Sequence, residues 1–177
     1  MPSHPRISAG ATLHLLCGKI ASGKSTLATK LAMAPGTIVL SEDQWLAQLY
    51  SGEILSISDY VRRSAQLRRA IGPHVVELLR LGMSVILDFP ANTAANRLWM
   101  RNLFEQANAA HCLHLLDVPD DLCKERLHAR NASGKHDFAA TDTEFDLITS
   151  HFEPPSPGEK FDVIRHGDPA IGGGTLP

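Results

Sequence analysis

Residues 18–25 read Gly-Lys-Ile-Ala-Ser-Gly-Lys-Ser and fit the pattern Gly-x-x-x-x-Gly-Lys-Ser/Thr. An apolar run of strand length, residues 12–17, precedes the motif, and residues 26–32 after it favour a helix. A strand, a glycine-rich turn and a helix are the setting in which this pattern holds phosphate, because the turn points successive N–H groups at an anion. The motif therefore constrains the chain to a strand–loop–helix unit built around a phosphate.

The loop and the start of the helix offer several ligands to a nucleoside triphosphate. Glycines permit the tight backbone curl, and the helix start adds unpaired N–H groups and the positive end of its dipole. Lys24 is placed to reach the outer phosphates, and the Ser25 hydroxyl to take one position on Mg²⁺. The predicted nucleotide ligands of this segment are Gly18, Lys19, Ile20, Ala21, Ser22, Gly23, Lys24, Ser25 and Thr26.

Strands and helices alternate along the chain, which predicts a parallel sheet covered by helices on both faces. The predicted strands cover residues 12–17, 37–40, 84–88, 111–118 and 161–165, and the predicted helices cover residues 26–32, 59–81, 93–108, 120–130 and 142–151, with one more after Ser41. Ser41 is predicted to cap that helix, and Gly72 and Pro73 to interrupt the longest one. At 177 residues, the chain is expected to form one α/β domain with a loose tail from residue 167.

Charge and apolar content exclude several classes of function. The formal net charge of −2 gives no general attraction to nucleic acid or to an anionic membrane. No stretch has the apolar length needed to span a bilayer, and residues 1–10 lack the apolar core of a secretion signal, so we expect a cytoplasmic protein. The nine histidines show no metal-ligand spacing, and His111 and His114 are expected on opposite faces of one strand.

Two aspartates are candidates for the metal and acid–base chemistry of phosphoryl transfer. Asp88 ends the third predicted strand, at the sheet edge where ligands bind, and this favours a role near Mg²⁺. Asp43 follows the second predicted strand at the same edge, where it can accept a proton from an attacking substrate hydroxyl. Each acid also has a plainer interpretation, Asp43 as a helix-start acid and Asp88 as a strand-end acid bonded to backbone, and which of them is the base stays open.

Two pairs of arginines share a spacing of four residues on predicted helices. Arg126 and Arg130 directly precede a glycine-containing loop, and we predict that they close over the triphosphate and stabilise charge on the transferred oxygens. Arg97 and Arg101 repeat the spacing after Asp88, and we predict that they contact a substrate. A further basic group faces either an anionic substrate or solvent, and its members are Arg62, Arg63, Arg68 and Arg69.

These segments resemble the P-loop kinases related to zeta toxin and chloramphenicol phosphotransferase. The resemblance follows the element order of nearly the whole chain and is most specific in residues 18–26, in the acid after the second strand and in the two later arginines. The chain also resembles bacterial ATP-binding proteins called AAA-family ATPases, which carry stretches similar to residues 41–45, 88–93 and 126–131. The resemblance implies a three-layer P-loop NTPase fold, with a five-stranded parallel sheet in the order 2-3-1-4-5 and a helical lid at about residues 120–140.

The resemblance also implies roles for single residues. In the phosphotransferase relatives an aspartate after the second strand activates the substrate hydroxyl, and Asp43 matches its place. Lid arginines of the relatives contact ATP phosphates, so Arg126 joins the nucleotide ligands, and Arg126 and Arg130 join Lys24 as catalytic residues. The proline-rich residues 154–159 fall where the relatives hold adenine.

The resulting hypothesis is an ATP-dependent, Mg²⁺-requiring kinase that phosphorylates a hydroxyl of a small-molecule acceptor. Asp43 is its base, and Ser25 and Asp88 hold the metal. Zeta toxins have Glu-Gly-Thr after the third strand where this chain has Asp88, Phe89 and Pro90, which argues against their amino-sugar nucleotide substrate. Two alternatives stay open: an ATP-binding regulatory switch without an acceptor, and a kinase of nucleic-acid ends, against which the near-neutral charge argues.

Overall fold

The computed structural model describes residues 10–134 and 140–167, and in them strands and helices alternate in the predicted order. The strands are β1 (Thr12–Cys17), β2 (Thr37–Ser41), β3 (Ser84–Pro90), β4 (Ala110–Leu116) and β5 (Val163–His166). The helices are α1 (Lys24–Leu31), α2 (Glu42–Leu49), α3 (Ile57–Arg80), α4 (Ala94–Ala107), α5 (Asp120–Ala132) and α6 (Asp142–Thr149), and a 3₁₀ turn covers Pro157–Glu159. Part of the predicted lid, residues 135–139, and the predicted tail from residue 168 lie outside the described residues.

The described strands form one parallel sheet in the order β2-β3-β1-β4-β5. This confirms the strand order that the resemblance implies. Because β1 lies in the centre, the loop that follows it is placed at the middle of the sheet's carboxyl edge, which is the edge where open α/β sheets bind ligands. The same parallel pairing brings the ends of β2 and β3 to that edge, since Ser41 is in register with Asp88.

The core occupies both faces of the sheet, because alternate residues of the central strand point to opposite sides. Leu13 and Leu15 of β1 are fully buried against α3 and α4. On the other face, Leu16 and Ile86 pack against Leu27 of α1. Burial on both sides explains why Leu13, Leu15, Leu16 and Cys17 of β1 are apolar, and it fixes the register of the strand and so the position of the loop.

The predicted interruption of the longest helix is wrong. α3 runs without a break through Gly72 and Pro73. A proline inside a helix removes one backbone hydrogen bond, but Leu67, Ile71 and Val75 are buried on either side of it. Burial of this apolar face outweighs the local cost. In the described ranges, none of the helices is long and apolar enough to cross a membrane.

Candidate active site

The loop between β1 and α1 has a backbone conformation that few sequences tolerate. Ala21 and Gly23 both have a positive φ, 58° and 101°. Such a conformation costs a non-glycine residue about 1–3 kcal/mol and persists mainly at functional sites. At Gly18, an added Cβ would lie 2.5 Å from Ser22 Oγ and 3.1 Å from Leu116 Cβ, so a larger residue there would force both neighbours to shift. The result is a tight loop of the kind whose curled N–H groups bind anions.

Lys24 holds its ammonium group over this loop. Its Nζ donates hydrogen bonds to the carbonyl oxygens of Gly18 (2.7 Å) and Lys19 (2.8 Å). Burial lowers the pKa of Lys24 from its ordinary value, whereas the nearby carboxylates of Asp88 and Asp43 raise it. The structure thus brings the predicted phosphate ligand and both candidate acids together at the mouth of the loop.

Ser25 and Asp88 form the pair of oxygen ligands that the sequence predicts for Mg²⁺. Ser25 Oγ donates to Asp88 Oδ2 at 2.9 Å. Burial raises the pKa of the Asp88 carboxyl, and the hydrogen bond from Ser25 and the charge of Lys24 oppose that rise. Hydroxyl and carboxylate oxygens are the donors that Mg²⁺ prefers, so the residues at this position fit a magnesium ion.

Ser41 contributes to the same group in a way that the sequence prediction missed. Ser41 occupies the predicted N-cap position of α2, but its side chain makes no capping hydrogen bond there, so the predicted side-chain cap is wrong. Ser41 is in register with Asp88 in the sheet, and its hydroxyl helps to oppose the rise that burial causes in the pKa of the Asp88 carboxyl. The hydroxyl therefore acts on the candidate metal ligand instead of on the helix.

Asp43 lies in the first turn of α2 and is exposed to solvent. Its carboxylate raises the pKa of Lys24, of Asp88 and of Arg130, which places its charge within electrostatic reach of all three. An exposed carboxylate next to the phosphate loop is available to a second substrate. This position is the one that the base hypothesis requires.

Helix α5 packs against the phosphate loop and carries the predicted lid arginines. Ile20 and Ala21 of the loop contact the apolar cluster that includes Leu127 of α5. Arg126 and Arg130 are both half-buried. Burial lowers the pKa of Arg130, and the charge of Asp43 across the site raises it. The structure therefore brings Arg130 into the charged group around the loop, with Arg126 one turn earlier on the same helix.

Asn92 is a contributor to the site that the sequence prediction did not assign. Its side-chain amide brackets Gly18, since Nδ2 donates to the Gly18 carbonyl and Oδ1 accepts from the Gly18 N–H, both at 2.9 Å. Gly18 begins the phosphate loop, so Asn92 fixes where the loop starts. The available signal is its place just beyond the end of β3, at the edge where the predicted ligands lie.

A buried acid next to Asp43 was also missed. Glu42 has 0% of its surface exposed and accepts hydrogen bonds from Tyr60 Oη (2.7 Å) and Arg68 Nε (3.1 Å). Burial raises the pKa of Glu42, and Arg68 and Tyr60 counteract this. Arg68 also donates to Asn96 Oδ1 at 2.6 Å. This network ties α2 to α3 and α4 and so holds the start of α2, where Asp43 lies.

The predicted substrate contact of Arg97 is wrong. Only 1% of its side chain is exposed, and its guanidinium donates to both carboxylate oxygens of Glu159 (2.6 and 2.9 Å). It also donates to the backbone carbonyls of Ala91 (3.0 Å) and Glu153 (2.7 Å). Arg97 therefore fastens the proline-rich turn to α4. That this turn holds adenine stays a prediction.

Comparisons with known proteins agree with this geometry. The model of AAA_33, described as an AAA domain, matches residues 13–155. No curated protein sequence matches the chain. A candidate kinase from Chloroflexus aurantiacus J-10-fl is 22% identical with a TM-score of 0.70, and the match covers 89% of this chain and 85% of that one.

Two further solved structures have bound nucleotides or nucleotide analogues. The APS kinase CysC of Mycobacterium tuberculosis, in complex with AMPPNP and APS, is 23% identical with a TM-score of 0.59, over 90% of this chain and 89% of that one. Kti12 of Chaetomium thermophilum, in complex with ADP-AlF3, is 18% identical with a TM-score of 0.64, over 88% of both chains. At these identities the likeness shows the fold, and the predicted P-loop kinase-like fold is confirmed.

Proposed function

The chain belongs to the AAA domain family AAA_33, and on that premise we propose that it is a kinase that transfers the γ-phosphate of Mg·ATP to a hydroxyl group of a small molecule. The observation that carries the proposal is the meeting of Lys24, the Ser25–Asp88 pair and the exposed Asp43 at one end of the loop. Binding of Mg·ATP alone would explain the presence of Lys24, Ser25 and Asp88. A carboxylate that faces open space beside them has a use in transfer to an acceptor.

Each residue has a distinct task in this proposal. The amides of residues 18–26 and the ammonium of Lys24 hold the phosphates. A magnesium ion, held by Ser25 and Asp88 when bound, would neutralise negative charge on the phosphate oxygens. Asp43 takes the proton of the acceptor hydroxyl and so keeps its oxygen nucleophilic. Arg130, within reach of the same charges, stabilises the negative charge that spreads over the transferred oxygens.

Acceptor-dependent ADP release is the direct test of a kinase. Metabolites and antibiotics that bear hydroxyl groups are incubated with the protein and Mg·ATP, with Lys24→Ala as the inactive control. We expect one class of compound to raise ADP release well above the basal rate, and the control to abolish the increase. ATP binding with a nucleotide-dependent change of shape, and no compound that raises turnover, would instead support the regulatory switch.

Asp43→Asn tests the base assignment. We expect turnover to fall by about 10²–10⁴-fold, because that is the usual contribution of a positioned base, with ATP affinity unchanged. The matched control is Asp146→Asn, an exposed aspartate of α6 that pairs with Lys124 and should leave turnover unchanged. Full phosphotransfer by Asp43→Asn would show that Asp43 is not the base, and Asp88 would become the candidate.

A further inference from the structure

Three histidines and a cysteine lie together on one face of the sheet. His14 is on β1, Cys112 and His114 are on β4, and His166 is on β5. Parallel register places His14 directly beside Cys112, and His114 follows two residues later on the same face. His14 precedes Gly18 by four residues along β1, which corresponds to about 13 Å, so the cluster is separate from the phosphate loop.

The side chains of this cluster are already in contact. His14 Nδ1 lies 3.0 Å from His114 Nε2, and His114 Nδ1 lies 2.9 Å from His166 Nε2. One nitrogen of His14, one of His114 and the sulfur of Cys112 lie within 4.8 Å of one another. In the described part of the chain, no other three His, Cys, Asp or Glu side chains bring their ligand atoms this close. His111, by contrast, faces the other side and stacks on Phe104, as expected from its position.

The nitrogen spacing is close to that of a metal site. Tetrahedral Zn²⁺ with Zn–N bonds of about 2.0–2.1 Å separates two nitrogen ligands by about 3.3–3.4 Å. The observed His14–His114 separation of 3.0 Å needs only a few tenths of an ångström to reach it. Each of the two ring–ring contacts needs a nitrogen lone pair, because one ring donates its N–H and the other accepts it. The accepting rings are therefore neutral, as metal ligands must be.

We propose that His14, Cys112 and His114 bind a divalent transition-metal ion of the zinc class, at a site distinct from the magnesium position. Nitrogen and sulfur donors select such ions over Mg²⁺, which prefers oxygen. In the metal-bound state His14 carries its proton on Nε2 and His114 carries its proton on Nδ1, the Cys112 thiol has released its proton to solvent, and a water fills the fourth position. The Nδ1–H of His114 then donates a hydrogen bond to His166 Nε2, which orients the His114 ring, as partners of metal-bound histidines commonly do.

The geometry also indicates how an ion reaches the site from solvent and how it would affect the stability of the fold. His14 and Cys112 are partly exposed, so an ion can reach them from solvent, whereas His114 is 2% exposed and fixes the inner wall. A bound ion would join β1 to β4 and stabilise the folded chain, because the donors come together only on folding. We expect the thermal midpoint to rise with the concentration of added Zn²⁺.

Cobalt absorption tests the site without reference to catalysis. The metal-free full chain is titrated with Co²⁺, and we expect a thiolate-to-cobalt charge-transfer band that saturates at one equivalent and disappears on addition of Zn²⁺. Excess Mg·ATP should leave the band unchanged. Cys112→Ser should abolish it, and His14→Gln should weaken Co²⁺ affinity by at least about tenfold.

Two control variants, and a measurement on the unmodified protein, complete the test. Cys123→Ser removes a buried cysteine elsewhere, and His74→Gln removes an exposed histidine of α3, so both should keep the band. Absence of a charge-transfer band in the unmodified protein would overturn the proposal, whatever the stability of the variants. A band that survives in Cys112→Ser would overturn it as well.

Discussion

Helices α4 and α5 each carry two arginines four residues apart, and the structure uses the two pairs differently. On α4, Arg97 is sealed from solvent and bonded to Glu159 and two backbone carbonyls. On α5, which packs against the phosphate loop, Arg126 and Arg130 are half-buried, and the charge of Asp43 raises the pKa of Arg130 against the effect of burial. The same spacing therefore serves to fasten a turn in one helix and accompanies an arginine of the candidate site in the other.

The difference shows that a four-residue spacing places two arginines on the same face of a helix but does not predict which part of the protein that face contacts. Residues four apart lie above one another on any helix. The partner of Arg97 is 62 residues away in sequence, in a turn that packs onto the start of α4. The face of α5 meets a phosphate loop whose acids come from β3 and α2. The neighbours supplied by the tertiary fold decide the role of each pair.

Arg97→Ala should give the largest effect on stability. Removing one member of a buried, hydrogen-bonded ion pair typically costs about 3–5 kcal/mol, because the remaining groups lose their partners. We expect this loss in the free energy of unfolding, measured by urea denaturation. Arg80→Ala, at an exposed arginine paired with Glu77, is the control and should change stability by no more than about 1 kcal/mol.

The outcome of this test bears directly on the contrast between the helices. A stable Arg97→Ala protein that had lost turnover would make Arg97 a ligand contact after all. The two arginine pairs would then have the same role.

Arg126→Ala and Arg130→Ala should each lower turnover and leave the stability of the fold almost unchanged, the reverse of Arg97→Ala. Removal of one donor that stabilises transition-state charge costs on the order of 3 kcal/mol, or roughly a hundredfold or more in turnover. We expect that loss with little change in ATP affinity and a change in unfolding free energy of under about 1 kcal/mol. Steady-state kinetics with an identified acceptor and urea denaturation measure the two quantities.

Lys30→Ala is the control for these variants, since Lys30 is an exposed cation in the last turn of α1. If Arg130→Ala kept full turnover and lost stability, α5 would resemble α4 and the lid hypothesis would be wrong.

The parts of the site that the sequence predicts are those tied to the ends of strands. Residues 18–25 are identified by a sequence motif. The places of Asp43 and Asp88 are predicted by the rule that ligands bind at the carboxyl edge of a parallel sheet. Because this rule depends only on strand order, it survives small errors in helix boundaries. The strand order itself is confirmed.

The parts that sequence reasoning missed depend on contacts between distant segments. Glu42 looks like a helix-start acid until the fold brings Tyr60 and Arg68 onto it from 18 and 26 residues away. His14 and His114 are 100 residues apart and meet only because β1 and β4 are neighbours. No periodicity along the chain records such pairs, since each arises from packing between elements.

Arg101→Ala should have the smallest effect, and it tests whether the second arginine of α4 has a structural or a functional role. Arg101 donates to the carbonyl of Glu159, and its guanidinium carbon lies 4.4 Å from the centre of the Phe161 ring. A hydrogen bond contributes about 1 kcal/mol and a partly exposed cation–π contact about 0.5–1 kcal/mol, so we expect a loss of about 1–2 kcal/mol in unfolding free energy. Turnover should stay unchanged. Arg101 lies at the rim of the turn that Arg97 fastens. If Arg101→Ala lost turnover and kept its stability, Arg101 would be the substrate contact that the sequence predicts. The α4 pair would then consist of one structural and one functional arginine.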